Sequence, residues 1–335
     1  MIISGKILVT GAAGFIGVAL CRELRRRNLP VKAVVRQGGS SLPLDLQTDL
    51  DDIITVPGDA DVDTWTDLLA GVETVVHLAA RAHKNGSDGQ IKDKFFPDNL
   101  DLSRSLAGGA VQAGVRRFLF LSTIKVCGEG ALAVAHKVGE RASPQGAYAV
   151  SKWRAEQELK HICSSRNSPV LQVIRTPLVY GPGVKGNFAA LLGWIERGRP
   201  LLLPLQGNRR SFIYIGNLVD FIMFSLLHPA AGNSLIMPAD REDYSTETLA
   251  TILSQQLGRP LRSYRLPLNC LRLGAWLLRR PEMVVKMFGS LQVDRNAIEE
   301  LTWRAPHETS EGLAETALWW RQRGERNNYC DHAVR

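Results

Sequence analysis

The chain has 335 residues, 45% hydrophobic and 22% charged, a composition that excludes intrinsic disorder and suits one large domain or a core with a smaller lobe. Its charge of +8 (41 Lys and Arg against 33 Asp and Glu) is dispersed. The densest clusters, Arg22–Arg27, Gly207–Arg210 and Arg279–Arg280, form no basic arm, so no nucleic-acid partner is expected. Five scattered cysteines without C-x-x-C spacing argue against a disulfide framework or structural zinc.

Reduced thiols and the lack of a signal-peptide pattern at MIISGKILVTG lead us to expect a cytoplasmic protein. No transmembrane segment is expected. Phe221–Ala239 is broken by His228, Pro229, Gly232 and Asn233, and Leu266–Leu278 is too short to span. The latter reads as a core or interfacial helix, with attachment to a membrane surface as the lesser reading.

In chain order, Lys6–Thr10 (KILVT) is a short apolar run typical of a strand buried on both faces. Gly11–Gly17 follows and opens a helix reaching Leu24. Strands are then expected at Val31–Val35, Ile53–Val56, Thr74–Ala80, Arg117–Ser122 and Val170–Thr176. Helices are expected near Thr64–Leu69, Leu100–Ala113 and Tyr148–Cys163. This alternation predicts an α/β fold, a doubly wound parallel sheet of Rossmann type with helices on both faces.

After Pro177 turn signals become dense, at Tyr180–Gly183, Pro204–Arg210 and His228–Asn233. Helices are expected at Phe188–Arg197, Leu218–Leu227, Thr246–Leu257 and Leu313–Arg321, with short strands at Ser211–Ile215 and Ser234–Met237. The boundaries expected are 1–176 for the dinucleotide-binding core, with later strands near 211–237 returning to it, and 177–330 for a smaller, partly helical substrate lobe.

TGAAGFIG (Thr10–Gly17) spaces Gly11, Gly14 and Gly17 on the first strand-to-helix turn. Such glycines permit a tight turn, close approach to a pyrophosphate and close packing of helix on strand, beside a helix N-terminus that favours anions. A ligand-free tight turn is the plainer reading. The second strand ends at Arg36 with no acid, which favours NADP(H), because an Arg accommodates the ribose 2′-phosphate. The same Arg also suits stacking on adenine, which leaves NAD(H) open. Asp59, after the third strand, suits the adenine amino group or a helix N-cap, a role open to Asp61 as well. Tyr148 and Lys152, four residues apart, share one helical face.

TGAAGFIG, Gly58–Asp59, HLAA (His77–Ala80), Ser122–Thr123 and YAVSK together resemble the extended short-chain dehydrogenase/reductases, in the NAD-dependent epimerase/dehydratase family. The likeness spans nearly the whole chain. It implies a catalytic set Thr123, Tyr148 and Lys152. Tyr148 exchanges a proton with the sugar hydroxyl or ketone, Lys152 holds the nicotinamide ribose and lowers the Tyr pKa, and Thr123 binds the same substrate oxygen. It implies cofactor contacts at Gly11, Gly14, Phe15, Ile16, Gly17, Arg36, Asp59, Ala60, Leu78, Ala79, Ala80, Tyr148 and Lys152. Asn99 matches an Asn near the active-site strands, or is a helix N-cap.

The family's dehydratases carry an Asp–Glu pair after the catalytic Thr; here those positions are Ile124 and Lys125, which disfavours dehydration. Ser122–Glu129, Arg175–Phe188, Gly207–Asp220 and Glu242–Thr246 resemble enzymes that reduce UDP-4-keto-6-deoxy-N-acetylglucosamine to UDP-N-acetylquinovosamine for O-antigen and other bacterial surface polysaccharides. Cys127 departs from their usual Asn. A UDP-sugar 4-epimerase is the alternative, and a non-catalytic NADP-binding protein a third reading. Substrate contacts implied are Lys125, Tyr180, Asn187 and Arg210, the last suited to a diphosphate. No metal is expected. Relatives often dimerise through paired helices, here Leu100–Ala113 and Tyr148–Cys163.

Overall fold

The computed structural model describes residues 5–50, 52–81, 96–128, 135–228, 232–277 and 288–332, with side chains through 323. Glu129 and the basic pair Arg279–Arg280 lie outside the described residues.

Each apolar run in the first half forms a strand, and the helices follow in alternation. The order is β1 (Lys6–Thr10), α1 (Phe15–Arg26), β2 (Val31–Arg36), α2 (Leu44–Asp49), β3 (Ile53–Val56), α3 (Val62–Leu68) and β4 (Val72–His77). A π-turn (Pro97–Asp101) leads into α4 (Leu102–Gln112), followed by β5 (Arg117–Thr123), a 3-10 turn (Ile124–Val126), α5 (Gly146–Ile162) and β6 (Val170–Thr176). The second half adds β7 (Leu178–Tyr180), α6 (Gly186–Glu196), β8 (Leu201–Pro204), β9 (Arg210–Tyr214), α7 (Ile215–Leu227) and β10 (Ser234–Ile236). It ends with β11 (Asp243–Tyr244), α8 (Thr246–Gln256), β12 (Ser263–Leu266), α9 (Leu268–Leu277), α10 (Asn296–Glu299) and α11 (Thr309–His332).

Seven parallel strands make the main sheet, in the order β10-β6-β5-β4-β1-β2-β3. Both faces are covered, which is why the strands read as continuous apolar runs. Ile7 and Val9 enter one core with α1, α6 and α7; Leu8 between them enters the other, with Trp65, Leu106, Phe118 and Leu159. This is the Rossmann-type doubly wound α/β fold. Of the later strands, β10 pairs with β6 at the sheet edge, whereas β9 joins β7 and β11 in a separate three-stranded sheet. β8 and β12 form a parallel ribbon of their own.

The strand order reverses between β1 and β4, so a crevice opens past the C-terminal ends of these two strands. The register carries Thr10, His77 and Phe120 in one row across β1, β4 and β5. The expected strand Thr74–Ala80 therefore ends at His77, and Leu78–Ala80 form the lip of the crevice.

Candidate functional site

The glycine turn is built for close approach. Gly11 has φ +69°, and a Cβ on it would lie 2.8 Å from the Ala79 nitrogen, so the loops after β1 and β4 touch at the switch point. A Cβ on Gly17 would fall 2.1 Å from the Gly11 oxygen, which fixes how closely α1 packs on the turn. Gly14 caps α1 in an extended conformation without a side-chain bond to the helix, leaving its first amides to face an anion. Phe15 and Ile16 occupy the first turn of α1, and the Tyr180–Gly183 loop descends on it: a Cβ on Gly183 would lie 3.3 Å from the Phe15 ring. These residues fit a dinucleotide pyrophosphate.

Past the end of β3, Asp61 caps α3 by accepting from the Thr64 amide at 2.9 Å, which leaves Asp59 exposed and uncommitted to that cap. Ala60 is buried beside it. Arg36 does not point freely outward. Its guanidinium crosses Gly58, where a Cβ would meet Nη2 at 2.7 Å, and its Nη1 pairs with Asp98 Oδ1 at 2.7 Å. Asp98 also pairs with Arg81 through Oδ2, and its side chain is only 10% exposed. No sequence signal marked Asp98, because its partners lie 62 and 17 positions away.

Behind the lip runs a buried polar chain. The Thr10 hydroxyl lies 2.6 Å from His77 Nδ1, and His77 Nε2 lies 2.9 Å from Ser103 Oγ. Ser103 donates its hydroxyl to the Asn99 carbonyl at 2.5 Å, so His77 donates from Nε2 and accepts at Nδ1. Burial, with the Lys152 charge nearby, pushes the imidazole down to about 3, which keeps it neutral. Asn99 is not a helix N-cap. It lies in the π-turn, accepts from the Arg81 amide at 2.8 Å and donates to Ser151 Oγ at 3.0 Å. Ser151 in turn donates to the Tyr148 carbonyl at 2.8 Å, tying the lip to α5.

Tyr148 and Lys152 lie on α5 at i and i+4, the lysine buried and the tyrosine half-buried. Lys152 is 1% exposed and places Nζ 3.9 Å from the Phe120 ring centroid, and Phe120 stacks on His77 on the same row. Burial pushes the Tyr148 phenol up to about 12. Burial pulls Lys152 down to about 7, opposed by Glu156. Burial thus acts on Tyr148 against the lowering expected from Lys152. Desolvation disfavours the charged form of both groups, and the cation that would help the phenolate is itself disfavoured.

Glu156 extends the Tyr148–Lys152 column by one more turn. Fully buried, it takes a two-pronged pair from Arg175 of β6 (Nη2–Oε2 2.6 Å, Nε–Oε1 3.0 Å) and a bond from Ser122 at 2.5 Å. Arg175 Nη1 also reaches Cys127 Sγ at 3.4 Å. Burial raises the Cys127 thiol pKa, with Arg175 opposing. The spacing Tyr-x-x-x-Lys-x-x-x-Glu was available in the sequence to find Glu156.

Thr123 ends β5 and its hydroxyl accepts from the Lys125 amide at 3.3 Å. Ile124 is buried and Lys125 partly so in the 3-10 turn. Asn187 is exposed in the first turn of α6, and Arg210 opens β9, partly buried. Tyr180 is corrected: it is fully buried, stacks on Phe188, and spends its hydroxyl on Asp240 Oδ2 at 2.8 Å and the Thr309 carbonyl at 3.2 Å. Its hydroxyl belongs to the core of the second half, not to a substrate. Among the described residues no group of three or more His, Cys, Asp or Glu is placed to hold a metal, and no helix is long and apolar enough to cross a membrane.

This crevice lies where a Rossmann-type fold places a dinucleotide. A model of the NAD dependent epimerase/dehydratase family matches residues 7–237, and the chain belongs to that family. Among curated relatives, the UDP-glucose 4-epimerase of Vibrio cholerae is 34% identical, over 96% of this chain and 97% of that protein. The N-acetyl-α-D-glucosaminyl-diphospho-ditrans,octacis-undecaprenol 4-epimerase of Escherichia coli O157:H7 is 27% identical, over 93% and 94%. The structure of MoeE5 in complex with UDP-glucuronic acid and NAD superposes with a TM-score of 0.75 at 24% identity, over 95% of this chain and 100% of that one.

Proposed function

We propose that the protein is a nucleotide-sugar 4-epimerase that works with a nicotinamide dinucleotide. The observation that carries this reading is the pairing of half-buried Tyr148 with buried Lys152 on one face of α5, with no carboxylate at positions 124 and 125. The identity to the Vibrio UDP-glucose 4-epimerase along nearly the whole of both chains supports it.

When bound, the dinucleotide supplies the acceptor and donor of hydride at the sugar C4. This chain's residues handle the proton and the geometry. Tyr148 takes the proton from the 4-hydroxyl as hydride leaves and returns it after the sugar has turned over. Thr123 holds the same oxygen. Lys152 holds the ribose and, charged by that contact, draws the phenol pKa back toward neutrality. Gly11, Gly14 and Gly17 seat the pyrophosphate, with Phe15, Ile16, Ala60, Leu78, Ala79 and Ala80 lining the crevice and Asp59 toward adenine. Lys125, Asn187 and Arg210 receive the sugar and its diphosphate. The Escherichia coli relative, whose name puts its sugar on a polyprenyl diphosphate, makes a lipid-linked hexosamine a second substrate class for the same chemistry.

Reduction of UDP-4-keto-6-deoxy-N-acetylglucosamine is the second reading, favoured by the likeness at Ser122–Glu129 and Gly207–Asp220. The two are separated by incubating the protein with UDP-glucose or UDP-N-acetylglucosamine and reading the C4 configuration by proton NMR, then with the 4-keto sugar and NADH or NADPH. Epimerised product without net cofactor consumption supports the first reading. Stoichiometric loss of near-UV absorbance replaces it with the second. Tyr148→Phe is expected to lower turnover by about a hundredfold to ten-thousandfold while dinucleotide binding persists, and undiminished turnover removes Tyr148 from the mechanism.

A further inference from the structure

We propose that the exposed apolar face formed by α9 and the β8–β12 ribbon docks on an anionic lipid surface. This inference stands apart from the sugar chemistry. α9 is turned inside out: only Leu271 is buried, while Leu273, Trp276 and Leu277 are 58%, 66% and 68% exposed. Their spacing of three and four puts them on one stripe. The helix follows directly on β12 and packs beside β8. On that ribbon Tyr264 and Leu202 are cross-strand partners, 61% and 46% exposed. Apolar side chains clustered this way on one feature mark an interaction surface rather than ordinary surface scatter.

Charge selects the occupant. From residue 259 to residue 277 the chain carries Arg259, Arg262, Arg265 and Arg272 and no acidic residue. All four are exposed, and among the described residues only Arg265 is offset, by Glu247. A second copy docking through this face in a two-fold interface would bring the same arginines against themselves. An anionic bilayer instead neutralises them while Trp276 and its neighbours enter the headgroup boundary, the depth that Trp prefers.

The test is flotation of the full chain with vesicles of phosphatidylcholine containing about one-third phosphatidylglycerol. The expected result is co-flotation that weakens with added salt and is absent on pure phosphatidylcholine. Joint Trp276→Ser and Leu277→Ser substitution lowers partitioning by about tenfold or more. A second measurement needs no disruptive change: brominated acyl chains quench wild-type fluorescence more than that of Trp276→Phe. Absence of flotation, equal partitioning of the serine variant, or equal quenching overturns the proposal. So does light scattering that shows self-association lost in the serine variant, which assigns the face to a second copy.

Discussion

Under the proposed function, Asp98 would turn cofactor choice into a competition at a single carboxylate. Arg36 ends β2, the position expected to meet the ribose, but its guanidinium already holds Asp98, which shares its other oxygen with Arg81. NADP must displace that carboxylate or sit beside its charge, whereas the 2′-hydroxyl of NAD faces no such penalty. Asp98→Asn is therefore expected to raise affinity for NADP relative to NAD by about tenfold or more, read from fluorescence titrations with both dinucleotides. An unchanged ratio would show that Arg36 and Asp98 do not govern the ribose. Lys152 gives a second residue-scale outcome. It binds its proton more weakly folded, at about 7, than unfolded, at 10.5. Between those values the unfolded chain holds the extra proton, so this lysine makes stability rise with pH. Urea unfolding should show wild type gaining on Lys152→Met from about pH 7 until the pH reaches the unfolded value of 10.5; Tyr148, raised from 10.0 to about 12, acts with the opposite sign above pH 10 in both proteins and cancels in the comparison. The glycines and the Tyr–Lys pair were legible in the sequence because their chemistry is local. Asp98 was not, since only the folded chain brings it to Arg36, and Tyr180 misled because a hydroxyl in a turn motif gives no sign of how deeply it is buried.

α5 is the element that connects chemistry to framework. Its inward column runs Tyr148, Lys152, Glu156, and the last of these fastens the helix to β6 through Arg175 and to β5 through Ser122. Removing one charge leaves the other buried and unpaired, the costly case for an interior ion pair. Glu156→Gln is expected to destabilise the fold by about 3–5 kcal/mol, and pairing it with Arg175→Met to recover much of that loss, both measured by denaturant unfolding. If the single substitution is neutral, the pair does not secure the helix. Element by element, the strands and the longer helices of the first half were readable from periodicity, with ends displaced by only a few residues; the six-residue α2 was missed. The short strands β7, β8, β11 and β12 were not, since two to four residues carry too little pattern to separate them from turns. α9 was visible as an apolar run, but the sequence could not say which way its apolar side faces.

At the scale of the whole molecule, the chain does not complete its cofactor half before beginning the next. Residues 215–236 return to the first half: α7 packs on α1, and β10 closes the edge of β6. The core shared by α1, α6, α7 and α11 crosses any boundary drawn at residue 176. A fragment ending there is expected to aggregate and to bind no dinucleotide, whereas one extended through β10 should remain in solution longer; sedimentation and dye binding distinguish them. The outermost strand of the sheet is thus about sixty residues of chain behind its neighbour. On a ribosome the edge of β6 waits, exposed and ready to pair with any passing strand, for several seconds until residue 236 emerges. For that interval the nascent chain depends on a chaperone or on slow encounter with its neighbours, and synonymous changes that stall translation between β6 and β10 would lengthen the hazard without altering a single side chain.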